Sequence, residues 1–123
     1  MAQEIKAQVG LTCINGKLSY NKSTVTVVAD QSLASYSGAV QSIGTTQSAL
    51  SLNAGLTTAG WAYFCNLDAT NYLQLGLYIS STFYPFAKLK AGEACVLRVD
   101  PAATLYAKAN TAACLLEFCI LDD

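Results

Sequence analysis

The chain has 123 residues, 53% of them apolar and only 12% charged, with a formal net charge of −1 and no histidine. That length suits one domain able to bury about two-thirds of its extended surface without staples. The seven cations are scattered, which excludes a nucleic-acid binder that works by neutralising phosphates. No apolar run is long enough to span a bilayer, and no membrane partner is read.

So little charge beside so much apolar residue implies more greasy surface than one copy can hide, hence an oligomer or an assembly subunit. The competing reading is a small dry sandwich with a Ser/Thr surface. The start Met-Ala-Gln-Glu-Ile-Lys has no hydrophobic segment behind a basic residue, so no secretion signal is read.

In chain order, residues 4–28 read as a hairpin turning at Asn15-Gly16, a dipeptide that accepts positive φ at both positions. A two-residue turn there pairs Ile14 with Lys17, Cys13 with Leu18 and Leu11 with Tyr20. It places Val9, Leu11, Cys13, Leu18 and Tyr20 on one face, with Thr12, Lys17, Ser19 and Asn21 on the other. Val25 and Val27 then fall out of phase with Leu18 and Tyr20. A bulge or strand break within Asn21–Thr24 is therefore predicted if both sets are to face inward.

Residues 29–38 are small and polar and read as a loop, with Asp30 able to cap one helical turn. Residues 39–52 predict one or two strands with a kink at Gly44, and 53–59 a turn around Gly55. The densest pattern follows. Trp61, Tyr63, Cys65 and Leu67 alternate along one strand, about 60–67. Leu73, Leu75, Leu77 and Ile79 alternate along a second, about 71–80. Both sets are expected to face the core, and Asn66–Asn71 forms a polar turn between them.

Residues 82–92 read as an aromatic connection, because Pro85 argues against a central strand. Ala91-Gly92 and Asp100-Pro101 are turns. Strands follow at about 93–99, with Cys95, Leu97 and Val99 on one side, at 104–109, and at 113–121. The last carries Leu116, Phe118 and Ile120 on one face and Leu115, Cys119 and Leu121 on the other. A strand apolar on both faces belongs at the centre of a sheet or against a partner. No helix pattern appears. The fold class is all-β, an antiparallel β-sandwich of about eight strands, jelly-roll-like, in one domain over 1–123 with 1–28 as its N-terminal hairpin. An immunoglobulin-like sandwich is the alternative, but Trp61 lies only four residues before Cys65 and the Cys…Trp…Cys order is missing.

The chemistry of sites is sparse. Five cysteines without a Cys-x-x-Cys pair make a poor disulfide or metal framework. They read as reduced, mostly buried small hydrophobes of a reducing cytoplasm. Histidine, the commonest general base, is missing; no nucleophile elbow or Gly-rich phosphate loop occurs. The expectation is therefore no enzyme, with no catalytic, cofactor-binding or metal residues and no cofactor. Asn66-Leu67-Asp68-Ala69-Thr70-Asn71 reads as a turn whose side chains bond its own backbone, against a calcium or sugar site built from the same oxygens. Phe83, Tyr84 and Phe86 either cap the core or anchor a partner. Leu115 and Leu121, on the second face of the last strand, join them as candidate interface residues.

The string Gly60-Trp61-x-Tyr63-Phe64-x-Asn66-Leu67-Asp68-Ala69-Thr70-Asn71-Tyr72 resembles a pattern in small structural proteins of tailed bacteriophages. So do Phe83-Tyr84-Pro85-Phe86-x-Lys88-Leu89-Lys90-Ala91-Gly92-Glu93, Leu105-Tyr106-Ala107-Lys108-Ala109-Asn110-Thr111-Ala112 and Leu116-Glu117-Phe118-x-Ile120-x-Asp122. Residues 1–59 match only loosely. The resemblance implies a virion component made in a bacterial host cytoplasm. Within that class it implies a capsid cement or decoration protein, a homotrimer bound to the major capsid protein. A tail or fibre β-module is the second possibility, and a free carbohydrate-binding sandwich the third, from another class.

Overall fold

The computed structural model describes residues 3–123, and all of their regular structure is β. No helix is long and apolar enough to cross a membrane among these residues. The chain divides at Ser32/Leu33 into two compact units.

The first unit is a ribbon of two antiparallel strands, β1 (Ile5–Asn15) and β2 (Leu18–Ala29). The reversal lies one residue further along than Asn15-Gly16 implied. Asn15 pairs with Leu18, so the loop is Gly16-Lys17, and Gly16 alone takes positive φ, +59°. A turn with glycine first needs no left-handed asparagine and leaves Asn15 in the ladder. Cys13 consequently faces Tyr20, and Leu11 faces Lys22. The register has moved by two residues, and an even shift preserves the faces. The bulge is present: pairing jumps from Val9↔Val25 to Leu11↔Lys22, which puts the extra residue at Ser23–Thr24. Gly10 sits opposite, where a Cβ would come within 3.2 Å of the Lys22 carbonyl oxygen. The bulge brings Val25 and Val27 onto the face of Leu11, Cys13, Leu18 and Tyr20, as the alternation required.

The second unit holds the other eight strands: β3 (Tyr36–Ile43), β4 (Ser48–Ala49), β5 (Ala59–Asn66), β6 (Leu73–Ile79), β7 (Thr82–Leu89), β8 (Ala94–Arg98), β9 (Tyr106–Ala109) and β10 (Cys114–Asp122). They form two antiparallel sheets, β3-β10-β5-β8 and β4-β9-β6-β7. Four of the pairings are nested about the β6–β7 turn: β6 with β7, β5 with β8, β4 with β9 and β3 with β10. The chain is thus one long hairpin folded into two layers, joined further by β10 on β5 and β9 on β6.

Ile43, Phe64, Leu116, Phe118 and Ile120 from the first sheet meet Leu73, Leu75, Leu89, Ala107 and Ala109 from the second, all buried. Small alanines opposite large rings and branched chains let the layers interlock. Cys95 and Leu97 of β8 pack against this core, and Val99 just beyond is buried. The doubly apolar β10 is central, between β3 and β5.

Three local expectations are corrected. Ten strands form where about eight were read, because residues 82–89 pair as β7 and a two-residue β4 forms. Pro85 is accommodated since β7 is an edge strand with a register shift at Pro85–Ala87, leaving Phe86 unpaired. In β5 the buried face is Ala62, Phe64 and Asn66; Trp61 and Cys65 are half-exposed, and Tyr63 and Leu67 exposed. Asn66 decides that phase, because its amide is consumed inside, as described below. Asp30 caps no helix and accepts the Gln3 N–H at 3.1 Å.

Gly76 of β6 sits where a Cβ would fall 2.4 Å from the Tyr84 carbonyl oxygen and 2.8 Å from the Pro85 Cα, so no side chain fits. The β6–β7 reversal is strained instead: Ser80 and Ser81 both take positive φ, +50° and +64°. A two-residue turn of that kind favours Asn-Gly. Replacing Ser80-Ser81 by Asn-Gly is expected to stabilise the chain by about 1 kcal/mol. The check is a higher urea midpoint at unchanged slope; an unchanged or lower midpoint contradicts the turn geometry.

Candidate interaction surface

The polar groups that chemistry would need are largely committed to the fold. Asn66 is fully buried. Its Nδ2 donates to the Asn71 and Leu89 carbonyls at 2.9 and 3.0 Å, and its Oδ1 accepts the Asp68 N–H at 3.0 Å. Asp68 Oδ2 accepts the backbone N–H of Asn71 at 2.6 Å and of Thr70 at 3.0 Å. Those two N–H groups hold the Asp68 carboxyl below its ordinary range. Thr111 Oγ1 adds a 2.7 Å bond to Asn71 Oδ1. The 66–71 loop therefore spends these oxygens on its own reversal, which is the structural reading of the motif.

Asp122 performs a similar task at the end of β10. It is buried and accepts from the Ser35 hydroxyl, from the Thr58 N–H at 2.6 Å and from the Thr57 N–H at 3.2 Å. Those donors, Ser35 first, lower its carboxyl from the ordinary value. The bonds tie the last strand to the segments before β3 and β5.

The candidate interface residues fall on two different sheets. Phe83, Tyr84 and Phe86 lie on β7, with Tyr84 and Phe86 about half exposed. Phe83 pairs with Tyr78, whose ring lies 5.2 Å from that of Tyr106, and these aromatics flank Gly76. Lys88 Nζ sits 4.0 Å above the Tyr72 ring, and a shallow depression of about 240 Å³ lies along Gln74, Pro85, Phe86, Ala87 and Lys88. Leu115 and Leu121 lie on the outer face of β10 in the other sheet. There they join Tyr36 and Val40 of β3 and Tyr63 of β5, so the outer surface of this sheet is itself largely apolar. Its charged members are Glu117, between Val40 and Cys65, and Arg98, which holds Asp123 at 2.7 Å.

The larger exposed set lies on the hairpin, in residues that the alternation had placed inside. Val9, Leu11, Leu18, Tyr20, Val25 and Val27 share one face, and all are exposed, Leu11 at 66%. The opposite face is mixed: Gln8 bonds to Thr26 and Thr12 to Asn21, but Ile14 and Val28 are also exposed there. Alternation reveals which side chains share a face; it does not reveal whether the same chain covers that face.

The thiols are corrected likewise. Cys114 alone is buried, Cys65, Cys95 and Cys119 are half-buried, and Cys13 is exposed on the hairpin; all five are free. Burial pushes the Cys95, Cys114 and Cys119 thiols up, which keeps them protonated near neutrality.

No family model matches this chain, and neither does any curated protein or solved structure.

Since the folded pKa of Asp122 lies below its unfolded value near 4, the stability it contributes is complete above that value. It is lost as pH falls through the folded pKa. Asp122→Asn should lower the melting temperature clearly near pH 7, and the gap from wild type should close towards pH 2. A gap independent of pH contradicts a charged Asp122 in the fold.

Proposed function

We propose that this chain is a structural component of a tailed-bacteriophage virion: a capsid cement or decoration protein that binds the assembled head, as a homotrimer, and stabilises it. The observation that carries the reading is the apolar side chain left on the outside of both units, on the hairpin face and on the outer face of β3, β10 and β5. Such surface suits a protein whose partners are its own copies and a shell. The word pattern over residues 60–122 supports the virion class on the resemblance described above.

In the same reading the eight strands of the second unit are a jelly roll. The nested pairing about β6–β7 supports this, since rolling a long antiparallel hairpin into two layers is how that architecture arises. The bonds within the 66–71 loop and around Asp122 agree with a non-enzymatic role, because they spend carboxylates on the chain itself. A shell offers the binding sites only once assembled, so occupancy stabilises the assembled form by mass action.

Purified chain added to heads lacking it should bind saturably, in multiples of three per local symmetry position, and raise the temperature at which the heads open. Failure to bind heads, or location in the tail of an imaged particle, overturns the cement assignment.

A further inference from the structure

Each unit carries a largely apolar face on which a single uncommitted charge stands, and the two charges are of opposite sign. On the hairpin it is Lys22, directly across from Leu11 and two residues from Tyr20. On the outer face of the first sheet it is Glu117, directly across from Val40 and Cys65. Arg98, the other charge on that face, is already paired with Asp123. Neither Lys22 nor Glu117 has an ion-pair partner among the described residues.

We propose that the hairpin of one copy lies across the outer face of β3, β10 and β5 of a second copy, with Lys22 against Glu117. A two-stranded ribbon is at best marginally stable in water until a further layer covers it. The sheet face supplies that layer at the usual spacing of about 10 Å between packed sheets. Lengths agree: nine residues of β10 span about 30 Å, and the exposed stretch from Val9 to Asn15 about 23 Å.

Charge favours this partner over a second ribbon. Strands β1 and β2 carry Lys6 and Lys22 and their turn Lys17, against Glu4 and Asp30 just outside the strands, so the hairpin unit keeps a cationic excess. Two ribbons therefore repel. Residues 33–123 carry four cations against six carboxylates, so ribbon and sheet unit attract. The Lys22–Glu117 pair adds little net energy once desolvated, but it selects register, because any offset leaves both charges in apolar surroundings. The contact joins two different patches, a head-to-tail arrangement that closes into a ring when the rotation allows. Closure at three copies rests on the cement reading; the contact itself does not.

The test is sedimentation equilibrium of the full chain, as wild type, Lys22→Glu, Glu117→Lys and the double exchange. Both residues are exposed, so folding is not at stake. Each single variant should weaken self-association about tenfold or more, and the double exchange should recover most of it. Carbodiimide coupling in a mixture of unlabelled and heavy-isotope wild-type chains should join Lys22 of one isotope to Glu117 of the other. A monomeric wild type, a double exchange no better than the singles, or coupling confined to single chains overturns the proposal. Assembly without head binding would end the cement reading and leave this contact standing; head binding by monomers would do the reverse.

Discussion

The structure depends on where β10 lies. It is the last regular element in the chain, yet it occupies the middle of its sheet, paired along nearly its whole length with β3 and β5. Its inward residues Leu116, Phe118 and Ile120 are fully buried and fill the space between the sheets. Nothing in the first sheet is complete until this strand arrives, so the contacts that close the core join distant parts of the sequence. Such a topology folds slowly and cooperatively, because loop closure precedes its reward. The buried Asp122 fixes the strand's end against Ser35, Thr57 and Thr58, and Asn66 does the same for the loop that carries the chain from one sheet to the other.

The same strand explains why the fold leaves apolar surface outside. A central strand has two faces, and only one can meet the opposing sheet. Leu115 and Leu121 stand on the other, beside Val40 and Tyr63. The hairpin repeats the situation in simpler form: one mixed face cross-linked by side-chain bonds, and one apolar, exposed face. Hydrophobic burial scales with the area taken from water, so two such faces constitute a driving force for association. That is the physical root of the assembly role proposed for the protein.

Most of the fold was legible in the sequence, for reasons visible at particular residues. Leu73 and Leu75, the three inward residues of β10, and Cys95, Leu97 and Val99 were assigned to their faces by period-two alternation, but Leu77 and Ile79, read with Leu73 and Leu75, are half-buried and exposed. The hairpin bulge followed from a phase conflict between Val25 and Tyr20. The turn at Ala91-Gly92 is there, with Gly92 at φ +78°. What failed had local causes. Along β5 both faces are hydrophobic enough to alternate, and the deciding residue was a polar one, Asn66, buried because its amide meets two carbonyls. In β7 the proline hid a strand whose edge position and shifted register tolerate it. Of the candidate interface residues, Tyr84, Phe86 and Leu115 are exposed and Phe83 and Leu121 half-buried. Aromatic clustering pointed to Phe83, Tyr84 and Phe86, and double-sided apolarity to Leu115 and Leu121. The exposed hairpin residues were missed because alternation is the same whether a face meets its own core or another molecule.

The central claim is that the apolar face of the hairpin is covered by another copy. Amide hydrogen exchange on the full chain, followed residue by residue against protein concentration, tests it most directly. The account predicts that amides of β1 and β2 between Val9 and Val27 become protected as concentration rises, while those of β10 stay protected throughout. Hairpin amides that exchange at one rate across the whole concentration range would contradict it.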